Sequence, residues 1–145
     1  MALEYDLFLD AKLGAVFIDT EIERLSTSER AFEAPFPLTA SLFEITTYMR
    51  ENIFENFRFV PITACTITMD KFAEPKFAYT ALIRFSLAVI QDEKISNAAL
   101  LFGGEIPIFH YDKKVMCLNE SRGYWDKNKT DLLSIPYQFR KIPVL

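Results

Sequence analysis

The side chains able to do chemistry are few in this sequence, and they are widely spaced. His110 is the only histidine, set between Phe109 and Tyr111 in a stretch of strand character. A general base needs a nucleophile and an orienting carboxylate close by in space, and the sequence around His110 supplies neither. The plainer reading is a strand histidine held by one partner. Cys65 and Cys117 are the only cysteines and have neither metal nor redox spacing. Together with His110 they are too few and too scattered for a structural zinc site. Two cysteines make no disulfide framework and fit a reducing compartment, with a single bridge between them left open.

The carboxylates offer more candidates. Asp6 and Asp10 flank the first strand, Glu21 and Glu23 follow, and Asp70 and Glu74 share a turn. Paired carboxylates do acid–base work or hold a hard cation. No Asp-x-Asp-x-Asp-Gly loop is present, and Gly103-Gly104 is not a phosphate-binding pattern. A solvated polar face accounts for these residues, so no catalytic residue, metal ligand or cofactor is assigned. The segment Gly123-Tyr124-Trp125-Asp126 carries the only tryptophan. An aromatic pair in a polar loop has the composition of a protein-binding hot spot. Large rings serve equally to pin a tail onto its own domain. The residues put forward for contact with a partner are Asp6, Asp10, Tyr124, Trp125 and Asp126.

The elements that must position these groups follow from periodicity. Leu3, Tyr5, Leu7 and Leu9 alternate with Glu4, Asp6, Phe8 and Asp10, which predicts a half-buried strand with a mostly acidic wet face. After Gly14, residues 15–18 read as a short strand or a turn of helix, and 19–28 as a short helix with Ile22 and Leu25 spaced along it. Pro35 and Pro37 favour an extended path before a strand over Leu38–Phe43. Thr46 or Thr47 caps a helix in which Ile45, Met49, Ile53 and Phe57 recur every four residues. Residues 62–69 give the strongest strand signal, rich in β-branched side chains. A helix over 75–92 begins at Pro75, where a missing N–H costs nothing, and its broad apolar stripe fits a helix laid across a sheet.

Residues 98–102 are continuously apolar, as in a central strand buried on both faces. Gly103-Gly104 and Asp112-Lys113-Lys114 mark turns, so a three-strand antiparallel meander follows, with Pro107 at an edge or bulge. The expected fold is α+β, a mostly antiparallel sheet with two main helices packed on one face. One domain spans 1–145, with 119–145 an irregular C-terminal tail packed on it.

Bulk properties agree. A chain of 145 residues buries roughly 70% of its unfolded surface, enough for one stable core. Hydrophobic residues make up 50%, and Phe alone occurs 14 times, so rings fill much of that core. The net charge of −4, with no basic stripe, argues against nucleic acid as a partner. No export signal or apolar run of bilayer length stands out, so no membrane role and a cytoplasmic location are expected. The sequons at Asn119 and Asn128 are then chance matches.

Three features together carry a family likeness: Glu4-Tyr5-Asp6-Leu7-Phe8-Leu9; Phe57-Arg58-Phe59-Val60-Pro61 leading to Asp70-Lys71-Phe72; and Ala99-Leu100-Leu101-Phe102-Gly103-Gly104-Glu105 before a hairpin, Leu118-Asn119-Glu120 and Trp125. This layout resembles the immunity proteins of the myxobacterial Sit (swarming inhibition) toxin system and related bacterial immunity proteins. The resemblance implies a helix directly after the first strand and an Asn where Gly103 stands. It also implies a non-catalytic protein that neutralises a cognate toxin by direct binding, through an acidic surface where that toxin is basic. A small ligand-binding or enzymatic domain with an aromatic pocket near His110, and a phage or assembly subunit using its edge strands, are the alternatives.

Overall fold

The computed structural model describes residues 3–28 and 36–145, so Pro35 lies outside the described residues. The element order is β1(Leu3–Leu9), α1(Ala15–Ser28), β2(Leu38–Phe43), α2(Thr47–Phe57), β3(Thr63–Met69), α3(Pro75–Ile90), β4(Asn97–Phe102), β5(Ile106–Asp112) and β6(Val115–Asn119). A 3-10 turn, Ser121–Gly123, precedes α4(Lys127–Thr130) and β7(Tyr137–Arg140). The strands form one seven-stranded sheet in the order β2-β3-β1-β4-β5-β6-β7. Every pairing is antiparallel except β6 with β7, which is parallel. The α+β class and the mostly antiparallel sheet are as expected, and β4 is the central strand that its unbroken apolar run requires.

Period-2 alternation sorts the core onto two faces. On one face Leu7, Leu9, Cys65, Ile67, Ala98, Leu100 and Phe109 pack under α1 and α3. On the other, Phe8, Ala64, Ala99 and Leu101 pack under Ile53 and Phe57 of α2, with Phe59 and Ile142 completing the cover. Two helices therefore share one face, but the pair is α1 and α3, while α2 covers the opposite face. The reason is the apolar content of the even positions. Phe8 is 2% exposed, so the side of β1 expected to be wet is dry at Phe8.

Local chemistry explains the boundaries. α1 runs through 15–18 and 19–28 as one helix, with Phe17, Ile18, Ile22 and Leu25 facing the core. Thr63, buried, ties its approach down: its Oγ1 donates to the Ala11 carbonyl at 2.7 Å and accepts from the Leu13 N–H at 3.1 Å. Thr46 Oγ1 caps α2 by accepting from the Met49 N–H, and Glu74 caps α3 ahead of Pro75.

Pro107 sits at a β-bulge, where the β4–β5 register shifts between Leu100 and Leu101 and Ile108 is left without a strand partner. The carbonyls freed there hold the C-terminal segment. Asn119 Nδ2 donates to the Pro107 carbonyl at 2.7 Å, and Trp125 Nε1 donates to that of Ile108 at 2.8 Å. The segment from 119 is thus more regular than expected, ending in a strand paired to β6.

Candidate functional site

The larger of two described cavities, about 330 Å³, opens between the first turns of α2 and the turn joining β4 to β5. Phe8, Ile53 and Leu101 line its apolar part. Asp6, Asn52, Thr46 and Glu105 contribute the polar part, and Tyr48, 74% exposed, stands beside them. These groups come from α2, the segment before it, β1 and the β4–β5 turn, so no single stretch of sequence announces the cleft.

Asp6 is its most informative residue. The side chain is half-buried, and Thr66 Oγ1 donates to Oδ1 at 3.2 Å, the hydrogen bond that anchors it. Burial raises its pKa above the ordinary carboxylate value, the Thr66 hydrogen bond opposes that, and nearby Glu4 adds to it. Oδ2 lies against the turn: a Cβ placed on Gly104 would stand 3.4 Å from it. Gly103 and Gly104 both have positive φ (62° and 76°), so this turn needs glycine for its backbone as well as for its closeness to Asp6. Asn, which tolerates that conformation best among other residues, would also suit position 103. A partly desolvated carboxylate with one hydrogen bond, in an open cleft rimmed by an exposed ring, is equipped to receive a cationic side chain.

The other residues singled out from sequence are not gathered at this cleft. Asp10 is spent on the loop before β4, accepting from the Ser96 N–H at 3.0 Å and from Asn97 Nδ2 at 3.2 Å. Trp125 is 9% exposed and belongs to the core, so of the two roles read for this aromatic pair it takes that of the anchor. Asp126 caps α4, and its bond from the Lys129 N–H holds the carboxyl below its usual pKa. Tyr124 packs edge-on to Trp125 at 5.3 Å. Glu21 pairs with Arg24 on the surface of α1, Asp70 accepts from the Phe72 N–H, and Glu74 is the α3 cap. These are structural tasks.

His110 is 5% exposed and lines neither described cavity. Phe59 stacks on its ring at 6.1 Å and Phe57 tilts against it at 5.1 Å. Neither ring nitrogen has a hydrogen-bond partner, so the single partner expected for it is missing. Both cysteines are free and buried. They stand on β3 and β6, four strand spacings of about 4.8 Å apart, too far for a bridge. Burial pushes the Cys65 thiol up to about 12, which leaves it unreactive at neutral pH.

Among the described residues no group of His, Cys, Asp and Glu is arranged to hold a metal, and no helix is long and apolar enough to cross a membrane. No protein-family model, curated protein or solved structure matches the chain.

Proposed function

We propose that this chain is a non-catalytic binding protein, an immunity protein that neutralises a cognate bacterial toxin by seating a basic side chain of that toxin in the Asp6 cleft. The observation that carries the reading is the cleft itself, where a half-buried carboxylate meets Glu105 beside the exposed Tyr48 ring. Aromatic rims and desolvated charges are the parts from which protein-binding hot spots are made. The exposed face of α2 extends the surface with Phe54, 47% exposed, next to Glu51 and Glu55. Helix α1, directly after β1, supplies the helix that the family layout implies at that point. The enclosure of His110 between two phenylalanines gives it no route to the cleft, which favours binding over acid–base chemistry.

The test has two stages. Tagged protein is used as bait in its native host under conditions where toxin-like neighbours are expressed. Recovery of one partner at near equal stoichiometry, whose toxicity the chain relieves on co-expression, is the expected result; no partner and no rescue overturn the immunity reading. Calorimetry then compares the chain with Asp6→Asn, which keeps the Thr66 hydrogen bond and removes the charge. Binding at least about tenfold weaker is expected from the loss of a partly desolvated ion pair. Unchanged affinity moves the interface away from the cleft and leaves the immunity reading standing.

A further inference from the structure

The Asp6 cleft has negative charge on two elements and no cation of the chain to answer it. Thr66 engages Asp6 Oδ1, and no hydrogen bond from another described residue reaches Oδ2. Glu105, exposed on the β4–β5 turn, lines the same cleft. None of the ion pairs among the described residues uses either carboxylate. Helix α2 sets Tyr48 and Asn52 one turn apart along the cleft, so a ring and an amide share its rim. The Asn52 amide has no hydrogen bond to another described residue, whereas Thr46 is occupied in capping α2.

The floor leading to the cleft has the same character. On this face α2 covers the sheet at the row Phe43–Ala64–Phe8. The next two rows, Ser41–Thr66–Asp6 and Thr39–Thr68–Glu4, are half-buried or exposed. They set hydroxyls and carboxylates side by side at the strand spacing of about 4.8 Å. Neither row contains a basic residue, so a cation arriving over this floor meets acceptors and no repulsion.

We propose that the basic side chain received by the Asp6 cleft is an arginine and not a lysine, its guanidinium paired with Asp6 Oδ2, with Glu105 and Asn52 as further acceptors. The proposal rests on the reading that this cleft takes a partner's cation, and not on which toxin carries it. An ammonium is a compact, strongly hydrated charge that loses much on entering a half-buried site. A guanidinium is more weakly hydrated, spreads five donors in a plane and stacks on aromatic faces. Here the acceptors come from three elements, and the 74% exposed Tyr48 ring is available for stacking. Met49 and Leu145, both half-buried, offer apolar flanks to the three-carbon stem.

The probe is N-acetyl-arginine methylamide, titrated into the intact chain and followed by the backbone amide NMR shifts of Gly103 and Gly104, which line the cleft. Saturable shifts at these two glycines are expected at millimolar concentration. The lysine counterpart should bind at least about fivefold more weakly, and the citrulline counterpart, planar but uncharged, at least about tenfold more weakly. Asp6→Asn and Glu105→Gln should each weaken the arginine probe. Absence of saturation, lysine or citrulline binding as tightly as arginine, or full affinity in Asp6→Asn overturns the proposal. If Asp6→Asn fails to fold, Glu105→Gln on the exposed turn still decides. These titrations need no toxin, so the two readings fail separately. Arginine-selective binding with no toxin captured by the bait keeps this site and sinks the immunity reading; a captured toxin with no arginine selectivity does the reverse.

Discussion

His110 has a neutral ring in a phenylalanine cage with both nitrogens unsatisfied, and burial lowers its pKa below the ordinary value of 6.5. Asp112 pulls it up and Arg140 pushes it down, both less strongly than burial. Its unfolded form therefore binds a proton more readily than its folded form. Stability should fall as pH drops below about 6.5, by up to about 1.4 kcal/mol per unit, until the folded pKa is reached. His110→Phe should remove this component and gain about 1 kcal/mol at neutral pH by deleting two orphaned polar atoms. Urea melts of both proteins from pH 7 to pH 5 check it; parallel profiles would show that His110 does not carry the acid sensitivity. At this scale the sequence was informative about type and silent about company. Asp6 stood out as an acidic strand residue, but Thr46, Asn52 and Glu105 join it only through pairings that link residues far apart in the chain. Trp125 read equally as anchor or contact, because composition does not say that a bulge will leave the Ile108 carbonyl free to accept from it.

Among the elements, the hairpin between β5 and β6 turns on Lys113 and Lys114, both in the left-handed region with φ of 47° and 74°. Two such residues in succession make a primed turn, which suits the sheet's twist but strains any residue with a Cβ. Replacing the pair by Asn-Gly should raise stability by about 1 kcal/mol, seen as a higher urea midpoint with unchanged slope. An unchanged or lower midpoint would mean that the lysine side chains stabilise the turn in another way. Elements with strong local signals were legible: α3 through Pro75 and its broad stripe, β3 through its β-branched run, and the meander through its two turns. The helix α1 was only half visible, since the run 15–18 is too short to separate helix from strand by period. Strand β7 was not legible, because all four of its residues are exposed and carry no alternating burial.

At the level of the whole molecule, the sheet is covered on both sides by unequal layers. The unbroken apolar run of β4 already required cover on both faces, a demand that one layer of helices cannot meet. The thinner layer depends on the C-terminal segment, which supplies Ile142 to it. Asn119, 2% exposed, binds that segment with all its capacity: Nδ2 donates to the Pro107 and Ile142 carbonyls, and Oδ1 accepts from the Ser121 and Ile142 N–H groups. Asn119→Ala should cost about 3 kcal/mol through the backbone groups it strands. Hydrogen exchange should then speed up across 137–145 and at His110's neighbours in the thin layer before it does under α3. Uniform acceleration would show that both layers open together.

The place of β1 has a consequence for how the chain comes to be folded as it is made. It is made before the other described strands of the sheet, yet it lies between β3 and β4, with Leu3 beside Met69 and Tyr5 beside Phe102. Neither edge of β1 can be paired until about sixty further residues have followed it out of the ribosome, and its second edge waits for about thirty more. Through that interval Leu7, Phe8 and Leu9, all destined for the interior, have no sheet to join. The acidic residues on either side of them, Glu4 and Asp6 before and Asp10 after, keep the waiting strand charged and discourage it from pairing with a neighbour's. The carboxylate that faces the cleft in the finished protein thus also guards the nascent one.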